Sequence, residues 1–380
     1  MDNRICDMLG IEFPLIAFTH CRDVVTEVSK AGGFGILGAA GLSPEELEIE
    51  LCWIDEHIDN MPYGVDLIVP NKFTGKGEGS TPDQFLAALP EKHKTFANQI
   101  LCTHDIKPGE PDQKFMAEQI QRSHNLTVDG AIAHMNVAFA HPIKLIANAL
   151  GVPPTEMLAQ AQENNVKVAA LVGAKSHAIN QVHAGVDILV AAGGEAGGHC
   201  GGVSTMVLVP EIHEAIQEVG NIPILAAGGI VTGRQMAACM AMGASGAWCG
   251  SVWLTTTEAE TAPVVKEKML AATSSDTVRS RSRTGKHSRQ LRSPWTDAWE
   301  RTDAPEPLAM PLQGLISEPA LNKVHKLSES GHEGAQNLAT YWVGQGVGLM
   351  NTTQSVRNVV YEFKQDFIAA YERLAKTVDE

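Results

Sequence analysis

The chain has 380 residues, 44% hydrophobic and 19% charged, with 35 glycines. That suits one barrel-sized domain plus an elaboration. A formal charge of −15 argues against a nucleic-acid partner or an anionic membrane surface. Seven cysteines without a CxxC pair fit a reducing compartment better than a disulfide framework. There is no apolar run of roughly 20 residues. MDNRICDMLG at the N-terminus lacks a signal-peptide core. The expectation is a soluble, cytoplasmic protein.

In chain order, short apolar runs alternate with helical patterns, as in a parallel βα architecture. Strands are expected near Pro14–Ala17, Gly35–Gly38, Gly64–Val69, Ile143–Ala147, Val166–Leu171, Ile188–Ala191, Ile224–Ala226 and Gly246–Cys249. Helices are expected at Asp23–Ala31, Pro44–His57, Pro154–Asn164, Ser176–Ala184, Val209–Val219 and Thr232–Met242. Ser43-Pro44-Glu45-Glu46 supplies an N-cap, a first-turn proline and early acidic residues. Gly32-Gly33, Gly185 and Gly243 sit where C-caps belong. Eight such units predict an α/β fold, a (β/α)8 TIM barrel. Its rhythm breaks after the third strand, where 72–141 reads as a helical insertion opening on the polar loop Asn71–Thr81. Gly130–Ala138 competes for the role of fourth strand. Residues 1–255 form the expected barrel and 256–380 a smaller C-terminal lid. Within that lid, Thr255–Leu270 and Tyr341–Ala370 read as helices and Thr273–Ser293 as a basic segment.

Barrel active sites lie at the C-terminal strand ends. After the seventh strand comes Ala226-Ala227-Gly228-Gly229-Ile230, opening a helix; after the eighth comes Trp248-Cys249-Gly250-Ser251. Adjacent glycines there offer backbone N–H groups to an anion. Gly-Gly after a strand also reads as a tight turn, but the pair of loops favours a phosphate-bearing cofactor. The pattern is not the Rossmann GxGxxG. After the sixth strand, Gly193–Gly202 reads GGEAGGHCGG. His199 has the intrinsic pKa of a general base, with Gly197 and Gly198 beside it. Glu195 would orient the imidazole or cap the loop. The earlier strand ends give Ala17, Phe18, Thr19 and His20, then Asp66 and Asn148. Small residues there suit an isoalloxazine ring, and Asp66 or Asn148 would bond its pyrimidine edge or cap its own loop. His20 reads as a second proton carrier or a solvated loop residue. Cys200 beside His199 lacks a third orienting group for nucleophilic work. No ligand-spaced metal cluster stands out among the 14 histidines. Arg279–Arg292 reads as a solvated charge run or a contact for an anionic substrate tail.

GGEAGGHCGG, AAGGI and GSVWLTTTEAE together resemble the FMN-dependent nitronate monooxygenase family, formerly the 2-nitropropane dioxygenases. GGFGILGAA, YGVDLIVP and VVKEKMLAATSSDTVRSRSRTGK extend the resemblance from about Gly10 to about Gly348, with the segment Asn71–Asn125 poorly covered. It implies FMN held non-covalently, with the phosphate on Gly228, Gly229, Gly250 and Ser251 and His199 as the base that deprotonates a nitroalkane. The implied chemistry is oxidation of an alkyl nitronate with O2 to a carbonyl compound and nitrite. A small-molecule substrate and O2 are then the partners; a homodimer is left open. Many members carry Ala-Pro-Met where this chain has Ala17-Phe18-Thr19, Asn at Asp66 and Gln at Ala192. The same loop is similar to that of FMN-dependent enoyl-acyl-carrier-protein reductases, which implies hydride transfer from NAD(P)H as the alternative.

Overall fold

The computed structural model describes residues 3–68, 89–109, 115–116, 119 and 128–378. The expected loop Asn71–Thr81, the far end of the third predicted strand at Val69 and much of the expected insertion lie outside these residues.

Nine strands come first: β1 (Leu15–Thr19), β2 (Phe34–Gly38), β3 (Tyr63–Leu67), β4 (Leu145–Asn148), β5 (Lys167–Val172), β6 (Ile188–Ala192), β7 (Gly198–His199), β8 (Ile224–Ala227) and β9 (Gly246–Cys249). All but β7 are parallel and close a barrel in the order β1-β2-β3-β4-β5-β6-β8-β9, with Ile16 of β1 paired to Trp248 of β9. Alternation along each strand explains the closure. Ile16, Phe34, Ile36, Leu145, Ala169, Val190, Leu225 and Trp248 share the interior, while their neighbours meet the surrounding helices. A short N-terminal helix, Arg4–Leu9, adds Ile5 and Leu9 to the same interior cluster.

The eight expected barrel strands fall within two residues of their predicted ends, and Gly130–Ala138 lies in a helix, Val128–Ala140. Helix Pro44–His57 starts on a full capping box between Ser43 and Glu46. The helix expected at Val209 begins at Thr205, four residues earlier, with Pro210 inside it. An interior proline costs roughly 3 kcal/mol. Full burial of Leu208, Val209, Ile212 and Ile216 returns about 1.5–3 kcal/mol each, so the helix forms.

The C-terminal expectations need more correction. Thr255–Leu270 is a 3-10 turn at Ser251–Thr255, a connection and a helix at Pro263–Ala271. The basic segment is a hairpin of β10 (Thr277–Ser280) and β11 (Ser288–Leu291). Three of its arginines are ion-paired: Arg283 with Glu318, Arg292 with Asp297 and Arg281 with Glu306. The last helix starts at Val356 rather than Tyr341, and residues 341–355 cross the barrel loops as irregular chain with one 3-10 turn. A helix at Leu312–Glu329, with Pro319 inside, was not foreseen. Among the described residues no helix is long and apolar enough to cross a membrane.

Candidate active site

β7 is only two residues long, yet it fixes the position of His199. It adds to the C-terminal hairpin as a third strand, with Ser288 opposite His199 and Arg289 opposite Gly198. Gly198 takes φ +73, which a glycine allows at little cost. Arg289 Nε also donates to Gly194 O at 2.8 Å. The loop after β6 is thereby tied to residues nearly a hundred positions away.

The His199 ring stays open to solvent but is recessed among the surrounding loops. Its Nε2 lies 2.8 Å from Thr284 Oγ1. Desolvation, and then the nearby Lys286 ammonium, pull its pKa down from 6.5 to about 4. Water reaching the ring offsets part of this, but the direction is plain: the imidazole is neutral at pH 7. Thr284 also sits 3.3 Å from Lys286 O, which can only accept. With its hydroxyl turned to that carbonyl, Thr284 accepts from Nε2–H and leaves Nδ1 its lone pair.

Glu195 does not orient His199. Its Oε2 accepts from Thr205 N–H at 2.8 Å and from the Thr205 hydroxyl at 3.0 Å, capping helix Thr205–Ile216. Its carbonyl accepts from Gln345 N–H at 2.9 Å. The run Gly344–Gly348 passes over the site loops, and this contribution was missed. A Cβ on Gly197 would lie 2.8 Å from Gly344 N, and one on Gly346 would lie 2.8 Å from Gly229 O. The glycine-rich run itself was the available signal: only bare backbone fits between two strand-end loops.

The two expected anion loops keep their amides uncommitted. Among the described residues, the N–H groups of Gly228, Gly229, Gly250 and Ser251 have no protein acceptor. Gly228 and Gly229 take φ +112 and +72. A Cβ on Gly228 would stand 2.8 Å from Thr205 Oγ1. Ser251 Oγ accepts from Gly344 N–H at 2.8 Å and keeps its own proton to donate. By contrast, the first turn of helix Gly233–Ala241 is already used: Thr232 Oγ1 takes Gln235 N–H and Asp366 Oδ2 takes Arg234 N–H. These two amides of the helix end are taken, unlike those of the two loops. A cavity of about 490 Å³ lies against that helix end, lined by Thr232, Gly233, Thr255 and Phe363 among others; His199 and Asp66 do not line it.

Asp66 lies in the barrel interior at the C-terminal end of β3. It is 3% exposed, and its Oδ1 has no hydrogen-bond partner among the described residues. Desolvation pushes its pKa up to about 8, so it is largely protonated at pH 7. A buried carboxyl with an orphaned oxygen fits a polar ring edge set in this mouth. Phe18 stacks near Trp248 at 6.2 Å and flanks Gly250. Ala17 is fully buried, and Ala227 O accepts from Gly193 N–H at 2.9 Å. Thr19 Oγ1 accepts from Cys21 N–H at 3.1 Å. Asn148 donates to Leu150 O and Gly151 O, within its own loop. His20 Nδ1 is held 2.8 Å from Gly38 O. Burial pushes the Cys200 thiol up against the pull of Arg289 and Arg279, so it is no ready nucleophile.

A closed parallel barrel with a recessed histidine and uncommitted glycine amides at one mouth defines a TIM barrel with an anion-binding candidate site. The chain belongs to the nitronate monooxygenase family, whose model matches residues 3–366. A Mycobacterium tuberculosis protein named as a monooxygenase is 51% identical over 97% of both chains. A Staphylococcus saprophyticus protein named as a nitronate monooxygenase is 27% identical over 95% of this chain and 97% of its own. Among solved structures, a mutant FabK from Thermotoga maritima is similar with a TM-score of 0.71 and 25% identity, covering 99% of this chain and 100% of that one. A nitroalkane oxidase from Streptomyces ansochromogenes, at TM-score 0.79 and 22% identity, covers 97% of this chain and 99% of its own and shares the fold. The family is one of flavin-dependent oxidoreductases, so the chain is an enzyme of that kind.

Proposed function

We propose that the chain is an FMN-dependent nitronate monooxygenase, oxidising alkyl nitronates or their parent nitroalkanes with O2 to a carbonyl compound and nitrite. The observation that carries this is the imidazole of His199, held by Thr284 at the same mouth as the uncommitted amides of Gly228, Gly229, Gly250 and Ser251. Those four residues, with Ala227, would hold the phosphate. Ala17, Phe18, Thr19, Gly197 and Gly198 would flank the ring, with Asp66 bonding its polar edge as a protonated donor and Asn148 shaping the loop behind. When bound, FMN supplies the two-electron acceptor and the reaction with O2.

The chain's own residues act before that. His199 accepts the α-proton of a neutral nitroalkane, and the C–H electron pair passes onto the nitro oxygens, giving the nitronate. Thr284 fixes the ring during the transfer. Lys286, close enough to disfavour the imidazolium, also favours the anionic product. Residues 256–380 cover the mouth as a lid through the β10–β11 hairpin and Gly344–Gly348. All seven cysteines are free, which supports a cytoplasmic enzyme.

A second reading, an FMN-dependent enoyl reductase using NAD(P)H, is favoured by the likeness to FabK. The two separate in one assay pair. The first predicts nitrite from a nitronate in air with no nicotinamide present. The second predicts NAD(P)H oxidation that depends on an enoyl thioester, and nitrite formation absent.

A further inference from the structure

We propose that Glu48, Cys52 and His141 form a binding site for a divalent transition cation of zinc type, on the outer helix layer of the barrel between helix Pro44–His57 and the segment leading into β4. Glu48 and Cys52 lie one turn apart on helix Pro44–His57, and His141 follows helix Val128–Ala140 on the approach to β4. One ligand atom from each lies within 4.8 Å of the other two. Cys52 Sγ is 3.6 Å from Glu48 Oε1, and His141 Nε2 is 3.2 Å from Glu48 Oε2. Around tetrahedral zinc, bond lengths of about 2.0–2.3 Å set ligand atoms roughly 3.3–3.8 Å apart, so a small side-chain closure completes the set. Water takes the fourth place.

The ring orientation points to a cation. His141 has only 7% of its side chain exposed, and its Nδ1 lies 2.6 Å from Asp55 Oδ2. Asp55 is fixed in turn, because its Oδ1 accepts from Tyr63 OH at 2.6 Å. With Nδ1–H donated to Asp55, a neutral ring would aim its Nε2 lone pair at the Glu48 carboxylate. A divalent cation placed between them would take that lone pair and meet the carboxylate at once. A carboxylate–histidine pair of this kind is the usual outer support of a zinc-bound imidazole. The thiolate, imidazole and carboxylate set suits zinc or cobalt over calcium or magnesium.

Charge and proton balance follow. Glu48 and the Cys52 thiolate together neutralise a divalent ion. Binding therefore forms the metal–sulfur bond and releases the thiol proton to solvent, with the Nε2 proton where one is present. The bound ion would staple helix Pro44–His57 to the start of β4.

Cobalt titration of the purified, metal-stripped protein tests this, read as difference spectra against the cobalt-free sample. The expected result is a near-ultraviolet thiolate-to-cobalt band with visible tetrahedral bands. That band is absent in Cys52→Ser and unchanged in Cys102→Ser, a control at another exposed cysteine. Asp55→Asn is expected to weaken affinity by about 10–100-fold. Zinc should raise the Tm of the wild type and leave that of Cys52→Ser unmoved. No thiolate band in the wild type, or one that survives Cys52→Ser, overturns the proposal. His141 would then serve only as a structural tie between Asp55 and Glu48.

Discussion

His199 and Thr284 stand 85 residues apart in sequence, and Nε2 of one lies 2.8 Å from Oγ1 of the other. The hairpin that carries Thr284 also supplies the backbone partner of His199 through Ser288. Position and ring orientation of the proposed base therefore come from the C-terminal region and not from its own loop. Replacing Thr284 by Val removes the hydroxyl and keeps the shape. Losing one such bond is worth about 1 kcal/mol or more, so kcat/KM for neutral nitroalkanes should fall roughly tenfold. Pre-formed nitronates should be spared and Thr284→Ser should restore the rate. Equal losses on both substrate forms would assign Thr284 to folding alone.

The pH profile carries a definite sign. His199 works as a base only when neutral, and its pKa is pulled from 6.5 to about 4 by desolvation and then Lys286. The acid limb of kcat/KM for neutral nitroalkanes should lie below 6.5, moving toward 4. Lys286→Met removes the smaller cause and should raise that limb modestly. The stability linkage has the matching direction. Between the two values the unfolded chain binds more protons, so stability falls as pH drops through that window.

Gly228 gives a test of the anion loops. Its φ of +112 strains any side chain, and a Cβ would press on Thr205 Oγ1 at 2.8 Å. Gly228→Val should cost about 1–3 kcal/mol in stability and strip the flavin absorbance from the purified protein. Gly185→Ala is the control: φ is +90, but nothing lies within 4 Å of its Cβ. It should lose stability and keep its colour.

Much of this was legible in the sequence, for reasons that are local. Val190 and Leu225 lie inside the barrel while Leu189 and Ala226 meet the helices, so both faces of a strand are buried. Such strands read as short continuous apolar runs, and Ser43, Gly185 and Gly243 mark helix ends by chemistry that needs no partner. The GGEAGGH and AAGGI loops were readable because glycine at a strand end reports close backbone approach. What stayed hidden depends on distant contact. Thr284 matters only because β11 pairs with β7. Glu195 caps a helix whose start Pro210 disguised, and Gly344 fits between two loops far upstream. Tyr341–Ala370 looked helical throughout, but Gly344, Gly346 and Gly348 weaken helix over its first part.

Asp66 makes a prediction opposite in sign to His199. Its folded pKa of about 8 lies above the ordinary carboxylate value of 3.8. Between those values the folded state binds the extra proton, so its contribution to stability falls as pH rises, by up to about 1.4 kcal/mol per pH unit. Asp66→Asn should remove that decline, and denaturant titrations of both proteins at about pH 5 and pH 8 would show it. Parallel curves would mean that Asp66 ionises as freely folded as unfolded.

The most direct test of the central claim is anaerobic mixing of the purified enzyme, wild type and His199→Asn, with a neutral nitroalkane and separately with its pre-formed nitronate. Bleaching of the flavin absorbance is the readout. The account predicts that the wild type is bleached by both and that His199→Asn is bleached by the nitronate only. A colourless wild-type protein, or a His199→Asn variant bleached by the neutral nitroalkane as fast as the wild type, would contradict it.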